Sequence, residues 1–141
     1  MNVTSVMTAT PACCTPQTTL RVVAHLMKNH DCGLIPVVDA LETLKPVGTI
    51  TDRDIAIRIV AAGKNPAETT AADCLSSPCI TVDADTSLRE CCAQMEAHML
   101  RRMLVVDDNG KLCGIVALAD VAHSGHDATT VDMLKTVSQA G

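Results

Sequence analysis

Apolar and polar positions follow two rhythms along this chain, and the same succession of rhythms occurs twice. From Thr18 the stretch TTLRVVAHLMKNH keeps apolar residues at Leu20, Val23, Leu26 and Met27. That is the spacing of a helix with one buried face, and Thr18 or Thr19 supplies its N-terminal cap. LIPVVD (34–39) is a continuous apolar run too short for a helix, which predicts a strand buried on both faces. A turn, ALETLKP, leads to a second strand, VGTI, and then to a helix, DIAIRIVAAG, that stops at Gly63. The second succession keeps Leu88, Cys91, Cys92, Met95 and Met99 at helical spacing, then runs through MLVVD, a DDNGK turn and LCGIVAL into DVAH, cut short by Ser124–Gly125. Each succession is preceded by a short helix or turn (Val3–Met7, Ala71–Leu75) and an extended segment. TTVDMLKTV (129–137), with Val131, Leu134 and Val137 in helical phase, predicts a last amphipathic helix.

The two successions are an internal repeat. With a shift of 68, Thr18, Leu20, Arg21, Met27, His30, Val37, Val38 and Asp39 fall on Thr86, Leu88, Arg89, Met95, His98, Val105, Val106 and Asp107. The first copy then holds two extra residues, and with a shift of 66 Gly48, Ile50 and Asp54 meet Gly114, Val116 and Asp120. The organisation read from this is residues 1–64 as the first repeat, 65–70 as a linker, 71–126 as the second repeat and 127–141 as a helical tail. A β-α-β-β-α unit of some 60 residues is too small to cover both faces of its sheet. The expected fold is therefore α/β (α+β), two pseudo-symmetric halves forming one module with related clefts where they meet.

Composition narrows the chemistry. The chain is 48% hydrophobic and has no Phe, Tyr or Trp, so its core is built from aliphatic residues, Met and Cys, and no ring is present to stack on a base. A net charge of −5 with 11 Lys and Arg argues against nucleic acid as the main partner. No apolar run reaches the ~20 residues that span a bilayer, and the N-terminus lacks the basic-then-apolar order of a signal peptide. The expectation is a cytoplasmic protein with no membrane contact. Eight cysteines follow no C-x-x-C or zinc-ribbon spacing, and Cys91 and Cys92 replace Val23 and Ala24. They are read as space-fillers, with no resident metal. His30 and His98 share a repeat position that suits binding of helix-end carbonyls. His123 and His126 flank a turn and are a weak metal pair. No cysteine has a histidine neighbour in sequence, and no catalytic residue is assigned.

The candidate chemistry lies in GTITDRDIA (48–56) and its copy GIVALADVA (114–122). Thr51 three residues before Asp54 is the spacing of a capping box, worth about 1 kcal/mol as a helix start. The same spacing suits a ligand. A helix start offers N–H groups to phosphate, the Thr51 hydroxyl can donate to it, and Asp54 can accept from both hydroxyls of a ribose. Arg53 can hold phosphate or pair with the aspartates beside it. Ala117 stands where the first copy has Thr51, leaving Asp120 alone.

The order helix, IPVVD, turn, VGTITDRDIA, used twice over roughly residues 3–126, resembles the tandem CBS domain, or Bateman module. It is similar in particular to the small two-CBS bacterial proteins of hypoxic-response type. The resemblance implies a non-enzymatic regulatory homodimer that holds AMP, ADP, ATP or S-adenosylmethionine between its repeats, as a regulatory ligand and with no required cofactor, and acts on a protein target the sequence does not identify. It implies that Thr51 and Asp54, with Arg53 nearby, contact phosphate and ribose, and that Asp120 does so in the second copy: one competent half-site and one weakened. Arg101 and Arg102 then reach a phosphate, the alternative being a solvated pair bridged to Glu96 or Asp108. Without aromatic residues, adenine would lie between aliphatics and use backbone groups of Ile35, Pro36 and Val37 or of Leu104–Val106. The other readings are a ligand-free interaction scaffold and a thiol- or metal-based redox sensor.

Overall fold

A computed structural model describes residues 1–77 and 79–123. The helix foreseen at 129–137 and the helix stop at Ser124–Gly125 lie outside these residues. The described elements are a 3-10 turn at Val3–Ser5, β1 (Thr8–Ala9), α1 (Leu20–His30), β2 (Leu34–Val38), β3 (Pro46–Thr51), α2 (Asp52–Ile55), a π-helical segment at Ala56–Val60, a 3-10 turn at Ala71–Asp73, β4 (Thr81–Asp83), α3 (Leu88–His98), β5 (Arg102–Val106), β6 (Leu112–Ala117) and α4 (Leu118–His123).

These elements form two compact units whose limits differ from those of the sequence repeats. One unit is Pro11–Cys79; the other joins Met1–Thr10 to the described residues from Ile80 onward. The opening turn and β1 of the first repeat are thus built into the unit of the second, and the opening turn of the second repeat, with the Ser76 bridge, into the unit of the first. In the discontinuous unit, β1, β6, β5 and β4 make a four-stranded sheet in that order, with β4 parallel to β5 and the other pairs antiparallel. In the continuous unit β2 and β3 pair antiparallel, and single bridges take the flanking places: Cys14 beside Val37 and Ser76 beside Thr49. The Ser76 N–H donates to the Thr49 carbonyl at 2.9 Å, and the Thr49 N–H returns a bond to Ser76 at 3.0 Å.

Helix ends follow the local chemistry. The Thr19 side chain accepts from the Val22 N–H, and Ser87 accepts from the Glu90 N–H at 3.0 Å. Both helices end on a left-handed residue, Asp31 and Met99. The freed carbonyls are bound by main chain and not by histidine: Cys32 N–H donates to Met27, and Leu100 N–H to Met95. His30 and His98 are exposed.

Each unit has its own core. Leu20, Val23 and Met27 of α1 pack with Ile35, Val37 and Ile50 of the sheet and with Ile59 and Cys74. In the other unit Leu88, Cys91, Cys92 and Met95 pack with Met103, Val105, Val116 and Val121. The continuous burial of Ile35–Val38 and of Met103–Val106 matches the expected strands covered on both faces. One correction concerns the helix expected over 54–63. The helix begins at Asp52, and after Ile55 its bonds widen by one residue, so the Ala61 N–H reaches back to Ala56 and the Lys64 N–H to Ile59.

Candidate functional site at the strand-to-helix junctions

β3 ends at Thr51 and α2 begins at Asp52, so the candidate residues lie where an extended strand turns into a helix. The Asp54 N–H donates to Thr51 Oγ1 at 3.1 Å, and the Thr51 N–H donates to Asp54 Oδ2 at 2.9 Å: the capping box is closed. It occupies one lone pair on each side chain. The Thr51 hydroxyl hydrogen and Asp54 Oδ1 are outside it. The Asp52 N–H donates to the Gly33 carbonyl at 3.0 Å, which ties the helix start to the loop before β2.

Arg58, which the sequence reading passed over, completes the junction. Its Nη2 lies 4.0 Å from Asp54 Oδ1, one helical turn along, and its Nη1 donates to the Cys74 carbonyl at 2.9 Å. The i, i+4 spacing of Asp54 and Arg58 is the sequence signal that could have found it. Arg53 is exposed, and among the described residues it forms no ion pair.

The apolar candidates sit deeper. Ile35 and Val37 have no exposed surface and belong to the core, and the carbonyl of the buried Pro36 accepts from the Cys14 N–H at 3.0 Å. The chain offers an adenine ring little at these three positions beyond the strand itself.

In the second copy the register explains the lost hydroxyl in new terms. Arg102 is the first residue of β5 and stands directly opposite Ala117 on β6, whereas in the first copy Leu34 stands opposite Thr51. Directly opposed residues share a face. A threonine beside an aliphatic has therefore become an alanine beside a guanidinium. Arg101 and Arg102 are exposed, and neither is bridged to Glu96 or Asp108. The Arg101 carbonyl accepts from the Leu118 N–H at 2.8 Å, the counterpart of the Gly33–Asp52 bond. Asp120 is half-buried, and among the described residues its carboxylate has no hydrogen-bonding partner.

Among the described residues no disulfide joins any of the eight cysteines. Burial pushes the Cys14 thiol up to about 12 and the Cys91 thiol to about 11, each raised further by its cysteine neighbour. Among the described residues no three His, Cys, Asp or Glu side chains converge on a point fit for a metal ion. No helix of the described residues is long and apolar enough to cross a membrane.

A family model for the CBS domain matches residues 3–61 and again residues 71–127. The chain belongs to the CBS-domain family. It carries two CBS domains in tandem, and its α/β fold is that of CBS pairs. It is 42% identical over 106 residues to the protein MK0525 of Methanopyrus kandleri, covering 75% of this chain but only 53% of that one. It is 34% identical over 132 residues to Hypoxic response protein 1 of Mycobacterium tuberculosis, covering 94% and 90% of the two chains. The crystal structure of Hypoxic Response Protein I with two coordinated zinc ions superposes with a TM-score of 0.77 at 34% identity, over 87% of this chain and 98% of that one. CBSX2 in complex with AMP has the same fold, with a TM-score of 0.72 at 21% identity, over 88% and 95%.

Proposed function

We propose that this CBS pair is a regulatory binding module that takes an adenine nucleotide at its strand-to-helix junctions and performs no catalysis. The observation that carries the reading is the state of the Thr51–Asp54 pair. Its capping box holds both side chains in place while leaving a hydroxyl hydrogen and one carboxylate oxygen for a ligand. Preorganisation of that kind lowers the entropic cost of binding. Phosphate would draw on Thr51 and Arg53, and ribose on Asp54. In the second copy Arg102, opposite Ala117, and Asp120 would take the corresponding parts, with Arg101 adjacent. The fold accommodates AMP in CBSX2, which supports the ligand class. The ligand considered is AMP, ADP, ATP or S-adenosylmethionine. The protein would work in the cytoplasm and as a homodimer, and the exposed apolar residues Val22, Ile57 and Val60 support the dimer. Its target is a protein.

The closed capping box also favours a second reading, a ligand-free interaction module in which Thr51 and Asp54 do no more than start α2. Isothermal calorimetry separates the two. On the first reading AMP or ATP binds the wild-type chain, and Asp54→Ala loses at least tenfold in affinity. The second reading stands if no adenine ligand gives heat and none raises the melting temperature.

A further inference from the structure

In the continuous unit, one guanidinium joins the Asp54 carboxylate to the stretch of chain that leaves the unit. Arg58 Nη2 faces Asp54 Oδ1 at 4.0 Å, and Nη1 donates to the carbonyls of Cys74 and Leu75 at 2.9 and 3.4 Å. Those carbonyls lie just past the C-terminal end of the 3-10 turn Ala71–Asp73, which the Cys74 and Leu75 N–H groups close on the Ala71 carbonyl, and a cation is electrostatically favoured there. The next residue, Ser76, exchanges two backbone bonds with Thr49 on β3 and so forms the edge of this sheet. Three residues later the unit ends at Cys79.

Three features make Arg58 more than a surface cation. It sits in the π-helical segment, a conformation rare in proteins and frequent at functional sites. The two oxygens of Asp54 are divided, Oδ2 taking the Thr51 N–H and Oδ1 facing Arg58. The repeat does not preserve it, since residue 124, the counterpart of Arg58, is serine. The capping box is a matter of α2 alone, whereas Arg58 links α2 to a segment 16 residues away in sequence.

We infer that Arg58 is a positioning residue that couples the occupancy of Asp54 to the anchoring of residues 74–76. The inference rests on the proposed nucleotide site and adds its regulation. A ligand hydroxyl bonding to Asp54 Oδ1 competes with Arg58 for that oxygen. The guanidinium loses the partner that orients it, and its hold on the two carbonyls weakens. Coupling is reciprocal, so whatever loosens the Arg58 clamp strengthens ligand binding by the same factor.

The test measures amide hydrogen exchange at Ser76 and Thr49 in the full chain, with the Asp54 amide as a control for the capping box. Arg58→Gln and Asp54→Asn, the latter keeping an oxygen for the Thr51 N–H, are each expected to speed exchange at Ser76 at least fivefold. The double variant is expected to go no further than either one. AMP added to the wild-type chain should speed Ser76 while slowing the core amides, and Arg58→Gln should bind AMP several-fold more tightly. The inference is overturned if Asp54→Asn leaves Ser76 unchanged while Arg58→Gln speeds it, because Arg58 then caps the turn on its own. It is also overturned if AMP binds and Ser76 is slowed like the rest. If AMP binds to no variant, the proposed function fails, and the two variants without ligand still decide the coupling. Should Arg58→Gln not fold, Arg58→Lys, which keeps the charge but loses the fork, replaces it and must show the same non-additivity with Asp54→Asn.

Discussion

A β-carbon on Gly48 would stand 2.7 Å from the Ser76 carbonyl oxygen and 2.8 Å from Leu75 Cδ1. The glycine that opens GTITD is there because another segment of chain crosses it closely. Ser76 is held by two backbone bonds to Thr49, so the oxygen cannot retreat without breaking them. Gly48→Ala is expected to destabilise the fold by about 1–3 kcal/mol, the range for forcing extra volume into a packed site. At the matching Gly114 the atom in the way is the thioether sulfur of Met7, the movable end of a flexible side chain, with the Thr8 carbonyl at 3.2 Å. Gly114→Ala should therefore cost less. Urea denaturation followed by circular dichroism gives the order, since the chain has no Trp or Tyr to report by fluorescence.

Met99 ends α3 at φ 55°, in the left-handed region, with 55% of its surface exposed. Its side chain gains little from packing and its backbone bears the cost of that conformation. Met99→Gly is expected to stabilise the protein by about 0.5–1 kcal/mol, net of the backbone freedom that glycine adds to the unfolded chain. Asp31→Gly at the equivalent end of α1 should gain less, because aspartate visits this region more readily. Paired melting curves would show the difference, and equal gains would contradict the account.

Thr51→Ala removes the acceptor for the Asp54 N–H and should cost about 1 kcal/mol, while Thr51→Ser should keep most of that stability. On the nucleotide reading, the serine variant also keeps its affinity for AMP and the alanine variant loses it. If the serine variant is stable yet fails to bind where the wild type binds, the hydroxyl is not the group in contact with phosphate.

Burial raises the Cys14 and Cys91 thiols from an ordinary value of 9.0 to about 12 and about 11. The folded chain thus keeps protons that the unfolded chain sheds above pH 9. Their contribution to stability is complete below that pH and is lost as the pH climbs towards 11–12. The urea midpoint should fall over this interval, and Cys14→Ala should flatten part of the fall even though it opens a small cavity. Peptide-resolved alkylation at pH 8 should mark the exposed Cys32 first and leave Cys14 and Cys91 until last.

Much of the local structure could be read from residue order. Apolar runs without alternation identified β2 and β5 as strands with both faces covered, and threonine before an amphipathic stretch located the start of α1. The capping box at Thr51 was legible because its two members are three residues apart. What escaped depends on contacts distant along the chain. Nothing near Val3 or Ala71 says which core each will join. The pairing of Arg102 with Ala117 requires the strand register, and the grip of Arg58 on the Cys74 carbonyl spans 16 residues. The switch to π geometry after Ile55 has no residue signature in AIRIV, which contains neither Gly nor Pro. The histidines at the helix ends misled because main-chain N–H groups, freed by the left-handed residue that follows, reach those carbonyls first.

The arrangement of the two units bears on how the protein is made. Residues 11–79 are contiguous, so this half can collapse as soon as the ribosome releases it. Residues 1–10 leave the ribosome ahead of residues 11–79 and wait longer for their partner, since β6, the strand that β1 pairs with, is not synthesised until residues 112–117. During that interval the N-terminal segment is an unpaired edge with a growing protein behind it. Translation speed between residues 80 and 117 thus bears on how cleanly the chain matures.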